Sequence, residues 1–107
     1  MKNIMGGKAM ALELCRSWED LLKQAGFSPE VDYRIRKMIG RMTPLLEKTY
    51  LKTVKGQEML LQCAEKTRRI QHQLNSNKED VYFSLTDLEK TYEDLLKRTY
   101  EFRIIAG

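Results

Sequence analysis

The sequence predicts an all-α protein, an irregular four-helix bundle in which two shorter helices pack on a long antiparallel helical hairpin. Three observations lead to this prediction. Apolar residues recur at three- and four-residue steps along most of the 107 residues, which is the spacing of one helix face. Ser-Pro and Thr-Pro pairs mark helix starts, and an Asn-Ser-Asn turn separates the last two helices. A chain of this length can bury about two thirds of its surface around one core, so we expect a single helical domain over residues 8–107 after a flexible N-terminus of residues 1–7.

The first two helices are each predicted from one apolar stripe. The first covers residues 8–25. The second begins at Ser28-Pro29, because a serine hydroxyl accepts hydrogen bonds from the first amides of a helix and proline lacks the amide that would remain unbonded there. Thr43-Pro44 repeats this signal about four turns later, so a third helix is predicted to follow almost immediately.

The third and fourth helices are predicted to form the long hairpin. The third runs without interruption from Pro44 to about Leu74, roughly 45 Å at 1.5 Å per residue, although Gly56 weakens its middle. The fourth is predicted to start near Lys78, with a later start near Leu85 as the alternative, because a capping box precedes each position. Its apolar residues alternate four- and three-residue steps, as in a coiled coil. Since the first two helices are about half as long as these arms, we expect either an exposed distal end of the hairpin or a dimer that covers it.

Composition excludes several classes of protein. No apolar run approaches the roughly 18 residues that cross a bilayer, so no membrane interaction is expected. The two cysteines, Cys15 and Cys63, lie far apart without a second cysteine or a histidine at ligand spacing, so reduced thiols in a cytoplasmic protein are expected. The sequence contains no metal-ligand cluster, phosphate-binding glycine loop or nucleophile motif. It therefore predicts no cofactor, no metal and no enzymatic activity.

Basic residues are concentrated in the middle of the chain. The net charge is +4, and residues 31–70 hold ten basic side chains against four acidic ones. On the second and third helices the spacing predicts two stripes on the face opposite the apolar residues, formed by Arg34, Lys37, Arg41, Lys48, Lys52 and Lys55. Such stripes can bind nucleic acid phosphates or an acidic protein, and they can equally be a solvated face.

Aromatic residues give the clearest candidate for a protein interface. Tyr82, Phe83 and Tyr100 lie off the seam of the fourth helix, so at least one of them is expected to be exposed or to cover a partner. An enzymatic interpretation would rest on Arg68 and His72 alone, which lie four residues apart on one helix face. The expectation for His72 is instead an exposed side chain near a helix C-terminus, where a cation is favourable.

These features favour a small non-catalytic interaction protein, an adaptor, inhibitor or regulatory subunit that binds another macromolecule through a helix face. A protein partner is expected, and a homodimer formed through the fourth helix is one form of this binding. The alternative is a nucleic-acid-binding module that uses the basic stripe.

Overall fold

The computed structural model of the protein describes residues 6–24, 28–74, 76 and 79–102. Within these residues it has four α-helices and no strand, which confirms the all-α fold. The helices are α1 (Gly7–Lys23), α2 (Pro29–Met42), α3 (Val54–Gln73) and α4 (Glu79–Glu101), and two short 3-10 turns, Thr43–Leu45 and Thr49–Lys52, connect α2 to α3. Residues 1–5, the end of the predicted first helix at residue 25, and Asn75 and Asn77 of the predicted turn lie outside the described residues.

Two antiparallel hairpins form the bundle, α1 with α2 and α3 with α4. The first hairpin has helices of 17 and 14 residues, and it packs on the second, which has helices of 20 and 23 residues. α1 runs parallel to α3, since Gly7 lies against Leu51 just before α3 and Trp18 bonds Thr67 further along both helices. This arrangement confirms the predicted irregular bundle of two shorter helices on a longer hairpin.

Two aromatic rings at the centre of the core join all four helices. The Trp18 ring packs edge-on against Tyr92, with ring centres 5.2 Å apart and an interplanar angle of 69°. Trp18 Nε1 donates a hydrogen bond to Thr67 Oγ1 at 3.0 Å, and the Thr67 hydroxyl donates to Cys63 O at 2.8 Å. The Tyr92 hydroxyl donates to Met38 O at 2.8 Å. The polar atoms of both rings are therefore bonded inside the core, as buried polar groups require.

The structure confirms two of the predicted helix starts. Ser28 caps α2, because its Oγ accepts a hydrogen bond from the amide three residues on at 3.2 Å, and Pro29 is the first helical residue. α4 begins at Glu79, which confirms the earlier of the two predicted starts. α1 begins at Gly7, a buried residue inside the segment that was predicted to be flexible.

The uninterrupted third helix predicted from Pro44 is wrong. The chain between α2 and α3 makes the two 3-10 turns, and α3 begins at Val54 with Thr53 as its N-cap. The Thr53 hydroxyl accepts a hydrogen bond from Gly56 N at 3.0 Å and donates one to Tyr50 O at 2.7 Å. One side chain therefore both starts the helix and holds the preceding turn, so the helix cannot continue backwards through this point.

Two glycines allow the connector between α2 and α3 to enter the core. A Cβ atom at Gly56 would lie 2.0 Å from Tyr50 O, and one at Gly7 would lie 1.8 Å from Leu51 O. Tyr50 and Leu51 are consequently buried, at 6% and 1% exposure. Gly56 is thus a point of close backbone packing in the first turn of α3, and the prediction of a weak helix middle at this residue is wrong.

The described residues near the distal end of the α3–α4 hairpin are covered on their inner side, which differs from the expectation of an exposed end. Because α3 is shorter than predicted, α1 and α2 reach this end, where Ile70 and Val81 are only 1% and 2% exposed. The Tyr82 hydroxyl also donates a hydrogen bond to Ser28 Oγ at 3.2 Å. The short hairpin of α1 and α2 therefore buries these residues without a dimer.

Candidate functional site

The predicted basic stripe loses two of its cations to contacts between α2 and α4. The Arg34 guanidinium donates hydrogen bonds to both carboxylate oxygens of Glu89 and, at 3.0 Å, to Thr86 Oγ1. The Arg34 side chain is only 20% exposed, and its hydrogen bond with Glu89 is the main cause of a raised pKa. Arg41 Nη1 lies 2.7 Å from Glu93 Oε2. Both cations are neutralised within the protein, so they are poorly placed to bind phosphate.

The other cations of the stripe do not share one helix face. Lys48 and Lys52 lie in the connector, so the stripe predicted along an uninterrupted third helix is wrong. Lys48 Nζ lies 5.3 Å from the centre of the Tyr100 ring, which is a cation–π contact. Lys37, Lys52 and Lys55 are exposed and form no ion pair in the described part of the chain.

The three predicted interface aromatics are exposed but do not form one surface. Tyr82, Phe83 and Tyr100 are 44%, 79% and 55% exposed. Tyr82 and Tyr100 also stabilise the fold, through the hydrogen bond to Ser28 and the contact with Lys48. Tyr82 and Tyr100 lie near opposite ends of α4, roughly 27 Å apart at 1.5 Å per residue. The structure therefore does not bring these rings together.

A cleft between α1 and α3 is a concave site at a place where no site was predicted. Its volume is about 190 Å³. Its apolar lining consists of Met10, Leu14, Leu60, Leu61 and Ala64. The exposed side chains of Glu13 and Arg68 border this lining. Leu61 is 53% exposed, whereas the preceding Leu60 is 1% exposed, so the cleft opens to solvent on the Leu61 side.

The outward face of α3 has the residue spacing of a coiled-coil seam. Steps of four and three residues alternate along this face, called here the α3 seam, and its members are Val54, Glu58, Leu61, Glu65, Arg68 and His72. All of these side chains are exposed, and the two apolar ones, Val54 and Leu61, are 75% and 53% exposed. The four polar members form no ion pair with the residues that the structure describes. The α3 seam therefore offers charged and apolar groups that the fold itself does not use.

Sequence analysis missed the cleft and the α3 seam for a common reason. The buried face of α3 has the same helical period as its outward face. The apolar residues of the buried face therefore account for the periodicity in the sequence, and the outward residues are not recognised as a second pattern. The available signal was a pair of large apolar residues, Val54 and Leu61, spaced seven apart on the side opposite the buried Cys63. The false start at Pro44 obscured this signal, because it placed both residues in the middle of a longer helix.

The described residues offer few groups with the chemistry of a catalytic or metal site. Cys15 and Cys63 are free thiols, as expected. Burial raises their pKa to about 11 and about 12, so both are protonated near neutral pH and are poor nucleophiles. His72 is exposed, as expected, one turn after Arg68. No three His, Cys, Asp or Glu side chains in the described ranges are placed to hold a metal ion together, and no described helix is both long and apolar enough to cross a membrane.

Comparison with known proteins assigns the chain to no family, since no protein-family model, no curated protein and no solved structure matches it.

Proposed function

We propose that the protein is a small non-catalytic interaction protein that binds another protein against the face formed by α1 and α3. The observation that carries this proposal is the cleft of about 190 Å³ with an apolar lining and a half-exposed Leu61 at its open side. Clustered apolar groups at the surface of a well-packed protein mark binding sites, since burial of that surface by a partner is favourable.

The shape and chemistry of the face suit a partner helix. A groove between two neighbouring helices accepts the apolar residues of an amphipathic helix at three- and four-residue spacing. The exposed charges of Glu13 and Arg68 beside the cleft supply polar contacts at the edge, which give orientation and specificity. Phe83 is more exposed, at 79%, but it does not line this cleft.

A capture experiment with two matched variants tests the proposed face. The wild-type chain, Leu61→Arg and Leu12→Arg are used as immobilised baits in cell extract, and bound proteins are quantified by mass spectrometry. Leu12 is a suitable control, because it is 44% exposed on α1 and does not line the cleft. We expect a protein captured by the wild type and by Leu12→Arg to be depleted at least tenfold by Leu61→Arg, a loss of about 1.4 kcal/mol or more. Equal capture by all three chains would contradict the proposal.

Nucleic acid binding is a second candidate function, and α2 carries the observation that favours it. Tyr33 is 64% exposed, and Arg36 and Lys37 follow it within one turn without an ion pair among the described residues. An aromatic ring beside two cations is typical of surfaces that stack bases and neutralise phosphates of single strands. Arg36 did not belong to the predicted stripe, so this site differs from the one inferred from the sequence.

Fluorescence anisotropy with a mixed-sequence single-stranded oligonucleotide tests this second candidate. Binding should weaken steeply with added salt, and the double variant Arg36→Glu/Lys37→Glu should abolish it. The control is Lys90→Glu, which changes an exposed lysine on α4. No binding at low salt, or binding that survives the double reversal, would eliminate α2 as a nucleic acid site.

A further inference from the structure

We propose that the α3 seam binds the α3 seam of a second copy of this chain, with the two helices antiparallel. This inference rests on the proposed function, because it uses the same outward side of α3 and names the partner as a second copy. It places the homodimer on α3, whereas the sequence suggested α4.

The charges along the α3 seam are separated by sign. The acidic Glu58 and Glu65 lie in the first two thirds of α3, and the basic Arg68 lies in its last turns, one turn before His72. A two-fold axis perpendicular to α3 places the acidic part of one copy beside the basic part of the other, and it does so twice. A parallel arrangement would instead set each charge beside its own copy. Opposite charge across the interface therefore selects the antiparallel pairing.

Residue spacing gives the antiparallel pairing a definite register. Glu58 and Arg68 are equally far from the middle of the α3 seam, and so are Val54 and His72. An axis at this midpoint pairs Glu58 with Arg68 of the second copy in both directions. It also brings Leu61 of both copies within one turn of the axis, where the two side chains can pack together. The exposed apolar group of the cleft thereby becomes the centre of the interface.

Several charges on the other helices are used within the protein. On α2 and α4 this holds for the pair of Arg41 with Glu93. Lys66 on the α4 side of α3 is likewise paired with Asp87, at 2.9 Å. The α3 seam combines unpaired charges of both signs with the exposed apolar side chains of Val54 and Leu61.

The size of the face is sufficient for a specific but reversible dimer. A helix of 20 residues is roughly 30 Å long, and with the flank of α1 beside it the face is about 20 Å wide, or about 600 Å² per copy. Specific interfaces begin near about 1,200 Å² in total. We therefore expect a dimer that dissociates on dilution and weakens in high salt, because exposed ion pairs are screened.

Sedimentation equilibrium on the full chain and two charge-altered variants tests the pairing. The acidic variant is Arg68→Glu/His72→Glu, and the basic variant is Glu58→Lys/Glu65→Lys. Each variant alone repels its own copy, so its self-association should be at least tenfold weaker than that of the wild type. An equimolar mixture of the two should recover a heterodimer, because an acidic seam then faces a basic one and positions 58 and 68 carry opposite charges in both pairings. The control is Lys90→Glu/Lys97→Glu on the outward face of α4, which should leave self-association unchanged, and circular dichroism confirms that each chain is folded.

Three outcomes would overturn the antiparallel pairing. These are a wild-type chain that stays monomeric up to millimolar concentration, variants that associate as tightly as the wild type, and a mixture that does not form a heterodimer. The capture experiment separates this failure from failure of the proposed function. If the wild type is monomeric while Leu61→Arg still loses a captured protein, the second copy is excluded and the α1–α3 face remains the binding surface.

Discussion

At the scale of single residues, the buried indole of Trp18 depends on the hydroxyl of Thr67. Trp18 is fully buried, and its Nε1 donates to Thr67 Oγ1 at 3.0 Å. Thr67 in turn donates to a carbonyl of its own helix, so its hydroxyl oxygen is available to accept. Without this acceptor, the indole N–H would be buried with no hydrogen-bond partner. The free-energy cost of burying an unbonded N–H is larger than the net stabilisation that the hydrogen bond provides.

The substitution Thr67→Val should therefore destabilise the protein by about 1–3 kcal/mol, although it preserves the volume of the side chain. The matched control is Thr99→Val on α4. Thr99 is also buried, but its hydroxyl donates only to Leu95 O and serves no other side chain, so its loss should cost less than about 1 kcal/mol. Urea unfolding of both variants measures the difference. Equal effects would show that the Trp18 bond contributes nothing particular.

Cys63 gives stability a dependence on alkaline pH. Burial raises its pKa from 9.0 to about 12. Below pH 9 the thiol keeps its proton in both states, whereas between pH 9 and about 12 the unfolded chain loses the proton that the folded chain retains. The free energy of unfolding should therefore fall as pH rises through this window, by up to about 1.4 kcal/mol per pH unit for this thiol.

Cys63→Ala separates this titration from other alkaline groups, including Tyr92, whose pKa burial also raises. The variant loses packing at every pH, but its free energy of unfolding should fall less steeply above pH 9 than that of the wild type. Urea unfolding at several pH values between 8 and 11 measures both slopes. Identical slopes would mean that Cys63 does not titrate differently in the two states.

At the scale of elements, the start of α3 depends on the absence of a side chain at Gly56. A Cβ there would lie 2.0 Å from Tyr50 O, a backbone atom that cannot rotate away. We expect Gly56→Ala to destabilise the protein by about 1–3 kcal/mol, the usual range for forced overpacking. Gly40→Ala on α2 is the control, because no atom lies within 4 Å of its added Cβ. It should stabilise the protein by about 0.5–1 kcal/mol through helix propensity. Thermal unfolding distinguishes the two, and a neutral Gly56→Ala would contradict the close contact.

The contact between α2 and α4 depends on the pair of Arg34 and Glu89, whose side chains are 20% and 28% exposed. Arg34→Glu places two carboxylates together in a partly buried position, so it should destabilise the protein by about 1–2 kcal/mol. Lys37→Glu on the same helix has no such partner in the described residues and should change stability by less than about 0.5 kcal/mol. Partial recovery in the swapped pair Arg34→Glu/Glu89→Arg, measured by urea unfolding, would verify the contact. No recovery would contradict it.

Element starts show which parts of the fold local chemistry can predict. The start of α2 follows from Ser28 and Pro29 alone, since cap and first turn are neighbours in sequence. The start of α3 cannot be predicted in this way, because Thr43-Pro44 gives the same helix-start signal earlier in the chain than the actual start at Val54. Which of the two positions starts the helix depends on how Gly7 and Gly56 pack against the connector. The contact between Arg34 and Glu89 joins residues 55 positions apart, so a stripe of cations in the sequence could not reveal that its members were already paired.

At the scale of the whole molecule, the shape exposes long helix faces. The radius of gyration is 14.5 Å and the extents are 51 × 33 × 18 Å, whereas a compact chain of this size has a radius of gyration of about 13 Å. An elongated bundle only 18 Å thick leaves each helix with one side toward solvent. On α3 that side carries the α3 seam and borders the cleft, so the proposed binding surface is a consequence of the architecture as well as of Leu61.

The structure also changes the interpretation of the net charge, because it shows which cations form ion pairs within the protein. The net charge of +4 suggested a basic surface, yet Lys8, Arg34, Arg41 and Lys66 are paired with carboxylates of other elements. Part of the basic charge therefore stabilises contacts between elements, and the α3 seam carries both signs. This distribution favours a protein partner over a phosphate backbone.

Self-association through the α1–α3 face is tested most directly by sedimentation equilibrium of the wild type, Leu61→Glu and Leu12→Glu at the same concentrations. In the proposed register a carboxylate at Leu61 lies opposite Glu65 of the second copy, so the Leu61→Glu chain should be monomeric where the wild type and Leu12→Glu are dimeric, with a dissociation constant at least tenfold higher. A Leu61→Glu chain that associates as tightly as the wild type would contradict a dimer formed through this face.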